Sequence, residues 1–157
     1  MAGQAVVTIN GKQWSVSVAN TFTELATGLS GVESIPAATG MLFDLGYDHK
    51  HIEVDMSRML FPLDIIFINS TQGVDGVMQN VQPGLSAILD DTDYPGARYF
   101  LEVNAGEAEG IEDWDTVDIQ GYTPQVSPLQ ADIAAMFMVG LLGGIMSNVF
   151  QTQWEER

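Results

Sequence analysis

The chain has 157 residues, 46% of them hydrophobic and 17% charged, a length and balance that build one ordinary globular domain and exclude two full ones. Twenty-one acidic against five basic residues leave a formal charge of −16, so the surface repels phosphate, and nucleic acid and anionic lipid headgroups are excluded as expected partners. Cysteine is absent, which rules out disulfides, thiolate nucleophiles and Cys-based zinc sites.

The first eight residues have no basic stretch followed by a long apolar one, so no secretory signal is read and an intracellular or particle-borne protein is expected. Ala5, Val7 and Ile9 alternate with Val6 and Thr8, Asn10-Gly11 intervenes, and Trp14, Val16 and Val18 alternate with Ser15 and Ser17. This predicts a hairpin, because Asn-Gly supplies the positive φ angles of a type I′ turn and the period of two gives each strand one apolar face. Residues 21–30 read as a short helix with Thr21 as cap, Glu24 completing a capping box, and Leu25 and Leu29 on one face. Residues 41–43 and 51–56 are strand candidates, the second with Ile52, Val54 and Met56 alternating. Residues 63–68 are nearly all apolar, as in a strand covered on both faces and interior in its sheet. Residues 74–81 and 97–103 read as further strands separated by a polar loop holding Asp90, Asp91, Asp93 and Pro95. One helical turn is expected over 105–110 and a last strand over 116–122.

Beyond Tyr122 the composition changes. Pro124 and Pro128 bracket a linker, residues 123–130, and residues 133–150 then run without one charge. As a helix, residues 133–154 would be about 33 Å long and apolar around most of their circumference, which calls for burial in a core, a bundle or a bilayer. Gly140 and Gly144 form a small-xxx-small pair that permits close helix approach, with Ser147 and Asn148 on hand to hydrogen-bond across the same seam. Trp154 suits an interfacial position, but Asp132, Glu155 and Glu156 flank the run with only Arg157 basic, which is no positive-inside signal.

The residues Gly28-Leu29, Gly40-Met41-Leu42-Phe43, Phe61-Pro62-Leu63-Asp64-Ile65-Ile66-Phe67-Ile68, Ala97-Arg98-Tyr99-Phe100-Leu101-Glu102-Val103 and Ala105-Gly106 occur in a familiar order. Over about residues 18–117 the chain resembles the domain-of-unknown-function family numbered 192. The resemblance implies a small β-rich domain and no established activity or ligand. Asp55 and Arg58 stand where members usually carry an aromatic residue and an Asn, and Trp114-Asp115 replaces a Gly-Asp pair. The apolar tail lies outside the resemblance.

No catalytic signature is present: Gly28-Leu29-Ser30-Gly31 lacks the spacing of a nucleophile elbow, and neither a phosphate loop nor a dinucleotide fingerprint occurs. His49, His51, Glu53 and Asp55 fall at every second position and on one strand would share a face; His49, His51 and Glu53 are the metal candidates, weighed against a plain solvent face. Residues 102–118 hold seven acidic side chains and no basic one, without EF-hand spacing, and read as a solvated face rather than a calcium site. Asp64, inside an apolar run, needs hydrogen bonds or a cation, and Arg58 and Arg98 are the expected partners of a structural carboxylate.

The expectation is therefore a mainly β (α+β) domain, residues 1–122, with one or two short helices, then the linker and an apolar helix over 131–154. Neither cofactor nor metal is expected. The function expected is non-catalytic, a structural module that assembles with copies of itself or other subunits, in a particle such as a virion. A tail-anchored membrane protein displaying a ligand-binding domain, held through residues 133–154, is the alternative, and an enzyme of unassigned reaction the third.

Overall fold

A computed structural model describes residues 3–90 and 96–124. In chain order they form β1 (Gly3–Ile9), β2 (Lys12–Ala19), α1 (Phe22–Thr27), β3 (Thr39–His49), β4 (His51–Asp55), β5 (Leu63–Ile68), β6 (Val74–Val81), β7 (Ser86–Asp90), β8 (Ala97–Asn104) and β9 (Val117–Gln120). The domain is thus mainly β with one short helix among the described residues. The expected linker beyond Pro124 and the apolar segment with Gly140, Gly144, Ser147 and Asn148 lie outside them.

The β1–β2 hairpin turns on Asn10 at φ 51° and Gly11 at φ 75°, the left-handed pair that a type I′ turn needs. Its register, Val7 opposite Trp14 and Ala5 opposite Val16, puts all the alternating apolar residues on one face. The Thr21 side chain accepts from the Glu24 amide at 3.3 Å and Glu24 Oε1 accepts from the Thr21 amide at 3.2 Å, so the capping box is complete. The connection through α1 lets β3 run parallel to β2, which no tight turn permits.

Seven strands form one sheet in the order β6-β5-β8-β3-β2-β1-β9, and β4 pairs with β7 in a separate ribbon. The sheet curls until its two edges meet. Gly73 bridges Thr116, the Val74 amide donates to the Asp115 carbonyl at 2.9 Å, and the Trp114 amide donates to the Val74 carbonyl at 2.8 Å. Val7, Ile9, Trp14, Val16, Val18, Leu42, Ile66, Ile68, Tyr99 and Leu101 fill the interior. On the outer wall Phe43, Leu45, Leu63, Ile65, Phe67 and Phe100 pack under Leu25 and Leu29 of the α1 region and under Ile52, Val54, Ala87 and Leu89 of the ribbon. β5 lies between β6 and β8 with all six residues buried, Ile66 and Ile68 inward and Leu63, Ile65 and Phe67 outward.

Two local expectations are corrected. The polar loop expected between β6 and β8 contains β7, whose Ala87 and Leu89 face the core while Ile88 stays 46% exposed. Residues 105–110 form consecutive turns instead of a helical turn, with Glu107 bonded to Asn104 and Glu109 to Gly106. Gly106 at φ 95° and Gly110 at φ 83° sit in left-handed backbone, which a right-handed helix excludes.

Candidate functional site

Of the carboxyl groups buried in or on the sheet, Asp64, Asp44 and Glu102 have very different surroundings. Asp64 is 0% exposed. Its Oδ1 accepts from the Asn80 amide at 2.8 Å, and its Oδ2 accepts from the amides of Gly106 and Ala108, both at 2.9 Å. One side chain on β5 thereby holds the end of β6 and the turns after β8, beneath an open depression of about 400 Å³ lined by Gln79, Asn80, Ala105, Gly106 and Glu109. Neither expected arginine is its partner. Arg58 is exposed and contributes its carbonyl to the Gly31 amide at 3.2 Å, because residue 58 falls in the loop before β5 and not on a neighbouring strand.

Arg98 serves Asp44 instead. The guanidinium donates from Nε to Oδ1 at 2.8 Å and from Nη2 to Oδ2 at 3.1 Å, a two-point pair with both side chains buried. Asp44 also accepts from the Gly46 amide at 2.9 Å and from the Tyr122 hydroxyl at 2.5 Å, and that hydroxyl accepts from Asn20 Nδ2 at 3.2 Å. Burial, followed by the bond to Asp44, pushes the Tyr122 phenol well above its ordinary range, so it stays a donor. Tyr122→Phe should lower stability by about 1.5–3 kcal/mol, the worth of a bond to a charged acceptor, read as a shift of the urea midpoint.

Glu102 is 4% exposed and its Oε2 has no hydrogen-bond partner. It lies on β8 opposite Met41 of β3 and Ile65 of β5, on the outward face with Phe100 two residues away. Burial alone, with no charged neighbour contributing, raises its pKa from 4.5 to about 8, and the side chain is neutral at pH 7. Half-buried Ala26, Ile35, Met41, Phe61, Met78 and Val81 pack against the same outer core. β3 and β8 come close here: a Cβ on Gly40 would stand 2.3 Å from the Glu102 carbonyl oxygen, so only glycine fits.

The histidine row does not share one strand. His49 ends β3 and His51 begins β4, with a bend at Lys50 between them. His49 is buried, its ring 4.1 Å from that of Tyr47, and burial lowers its pKa to about 4 against the opposing bond with the Leu45 backbone. His51 Nδ1 lies 3.7 Å from Asp90 Oδ1 across the β4–β7 ribbon, Glu53 is half-buried opposite Ile88, and Asp55 is taken up by the Ser57 amide and hydroxyl. In the acidic segment, Glu107 accepts from the Trp14 indole at 2.8 Å and Asp115 from Asn10 Nδ2 at 2.6 Å. Among the described residues no three His, Asp or Glu side chains are grouped to hold a metal ion.

Comparison with known proteins was decided by the sequence pattern of domain-of-unknown-function family 192, described as an uncharacterized ACR, which matches residues 5–119. The chain belongs to this family. The match runs from within β1 to within β9 and so extends the resemblance at both ends; the apolar tail lies outside it. No curated protein matches. The family 192 domain is similar to a solved structure of a candidate transcription regulator from Sinorhizobium meliloti 1021, at 26% identity and TM-score 0.65, covering 78% of this chain and 96% of that one. A protein of unknown function from Novosphingobium aromaticivorans DSM 12444 is similar at 26% identity and TM-score 0.61, covering 73% of this chain and 83% of that one.

Glu102 falls within the segment that carries the family resemblance, yet nothing in the sequence pattern separated it from the acidic residues that follow. The available signal was its place between Leu101 and Val103 in an apolar strand.

Proposed function

We propose that the protein is a non-catalytic assembly module, with the family 192 domain as its folded head and residues 133–150 as the part that joins copies of the chain, or other subunits, in a larger particle. One observation carries this reading: the 18 residues 133–150 have no charge with which to face water, and the head to which they are joined is a sheet that closes on itself. Apolar surface of that size associates. Exposed Leu60 and Leu85, each 59% accessible, add apolar contact area on the head itself.

The test is sedimentation of the full chain and of residues 1–124 in detergent-free buffer, then with lipid vesicles. A discrete oligomer of the full chain, formed without lipid and lost on truncation, is the expected result. Flotation with vesicles would select the tail-anchored alternative. A full-length monomer that ignores vesicles would remove both.

A further inference from the structure

Among the buried carboxyl groups, Asp64 has three backbone donors and Asp44 has Arg98, Gly46 and Tyr122. Glu102 has been left with an oxygen that bonds to nothing, although the chain can furnish such partners elsewhere. Buried polar groups are nearly always paired, and an exception needs an explanation. Leucine or methionine at this position would avoid the penalty of an unpaired carboxyl altogether. We propose that Glu102 is the anchor of a binding site for an apolar cation, a primary ammonium group carried on an aliphatic stem, and this holds independently of the assembly reading.

Three observations select that chemistry. The cross-strand neighbours are Met41 and Ile65, and Phe100 lies on the same face of β8, so an aliphatic stem meets apolar side chains there. Met41 is half-buried, so the face is not sealed beside Glu102, and an unbranched thioether can move aside for an entering chain. The formal charge of −16 concentrates cations at the surface and repels carboxylates and phosphates. When the ammonium arrives, Glu102 gives its proton to solvent and the two groups form an ion pair with the carboxylate oxygen that lacked a partner. Ionising a carboxyl of pKa about 8 at pH 7 reduces affinity only about ten-fold, a cost that pairing in apolar surroundings readily offsets.

The same group could arrive as a free alkylamine or as a lysine side chain of a partner, and the experiment separates them. Isothermal titration of the full-length chain at pH 7 would use n-hexylammonium, with n-hexanol and n-hexanoate as length-matched controls and N-acetyl-lysine methylamide as the peptide form. Saturable 1:1 binding of hexylammonium is expected, at least ten-fold tighter than either control and at least ten-fold weaker in Glu102→Gln. Tighter binding of the lysine derivative than of hexylammonium would point to a protein partner, and the reverse order to a free amine; either supports the site. Equal binding of hexanol, retained affinity in Glu102→Gln, or no saturable binding would overturn it. If Glu102→Gln fails to fold, the controls on the unaltered chain decide.

Discussion

Asp64→Asn should lower the stability of the domain by roughly 3–5 kcal/mol. The native carboxylate receives three backbone N–H groups, two on Oδ2 and one on Oδ1, and no cation is involved. Bonds of this kind to a charged acceptor are worth about 1.5–3 kcal/mol each. An asparagine keeps one acceptor oxygen, so it can still serve Gly106 and Ala108 less strongly, but its amide group then faces the Asn80 N–H donor to donor. The two opposed donors, at a part-buried bond, add about 1–3 kcal/mol between them. Against a total of about 5–15 kcal/mol for a domain, that loss is a large share. Urea unfolding followed by circular dichroism would register it as a midpoint shift of more than about 1 M at unchanged slope. A shift below about 0.3 M would mean that the three bonds contribute little. Refolded Asp64→Asn should bind hexylammonium as the unaltered chain does, since Asp64 faces the interior and Glu102 the outer wall.

The stability of the protein should fall between pH 6.5 and 8 and be nearly level between about 4.5 and 6.5. Glu102 has its pKa raised from 4.5 to about 8, so its contribution is fully present below 4.5 and is lost as pH rises through 8. His49 has its pKa lowered from 6.5 to about 4, so its contribution is fully present above 6.5 and is lost as pH falls through 4. In the shared window the folded chain holds one extra proton on Glu102 and lacks one on His49, and the two slopes cancel. Above 6.5 only Glu102 remains, and the decline is about 1.4 kcal/mol per pH unit, roughly 2 kcal/mol by pH 8. Glu102→Gln removes the titrating group, so the variant should show no decline over that interval and should be the more stable protein at pH 8. Thermal melts at half-unit steps would decide; parallel profiles for the two proteins would refute the assignment to Glu102.

What could be read from the sequence was what neighbouring residues determine together. The hairpin is written in Asn10-Gly11 and the alternation on either side, the start of α1 in Thr21 and Glu24, and β5 in an apolar run long enough to be covered on both faces. β7 was not legible: only Ala87 and Leu89 face inward, Ile88 is exposed, and Ser86–Asp90 becomes a strand because β4 pairs with it. The partners of the buried carboxylates were hidden for a related reason. Asp64 is held by amides of residues 80, 106 and 108, and every residue except proline carries an amide, so composition gives no hint of which one will be aimed. Arg98 was recognisable as a rare basic residue, but its choice of Asp44 over Asp64 follows from the β3–β8 register. Glu102 was concealed by the acidic residues after it, although its own strand is apolar.

The bond between Tyr122 and Asp44 has a mechanical consequence. Any force on the chain beyond residue 124 reaches the domain through Tyr122 before it reaches β9, an edge strand held to β1 by the four pairs from Val6–Gln120 to Ile9–Val117. An edge strand loaded at its end peels, one pair failing after another. The tyrosine diverts that load through Asp44 and Arg98 into β3 and β8, adjacent strands in the middle of the sheet, where rupture requires many bonds to fail at once. It works as a mooring, and a tether pulled by an assembled neighbour would strain the centre of the fold before it could strip its edge.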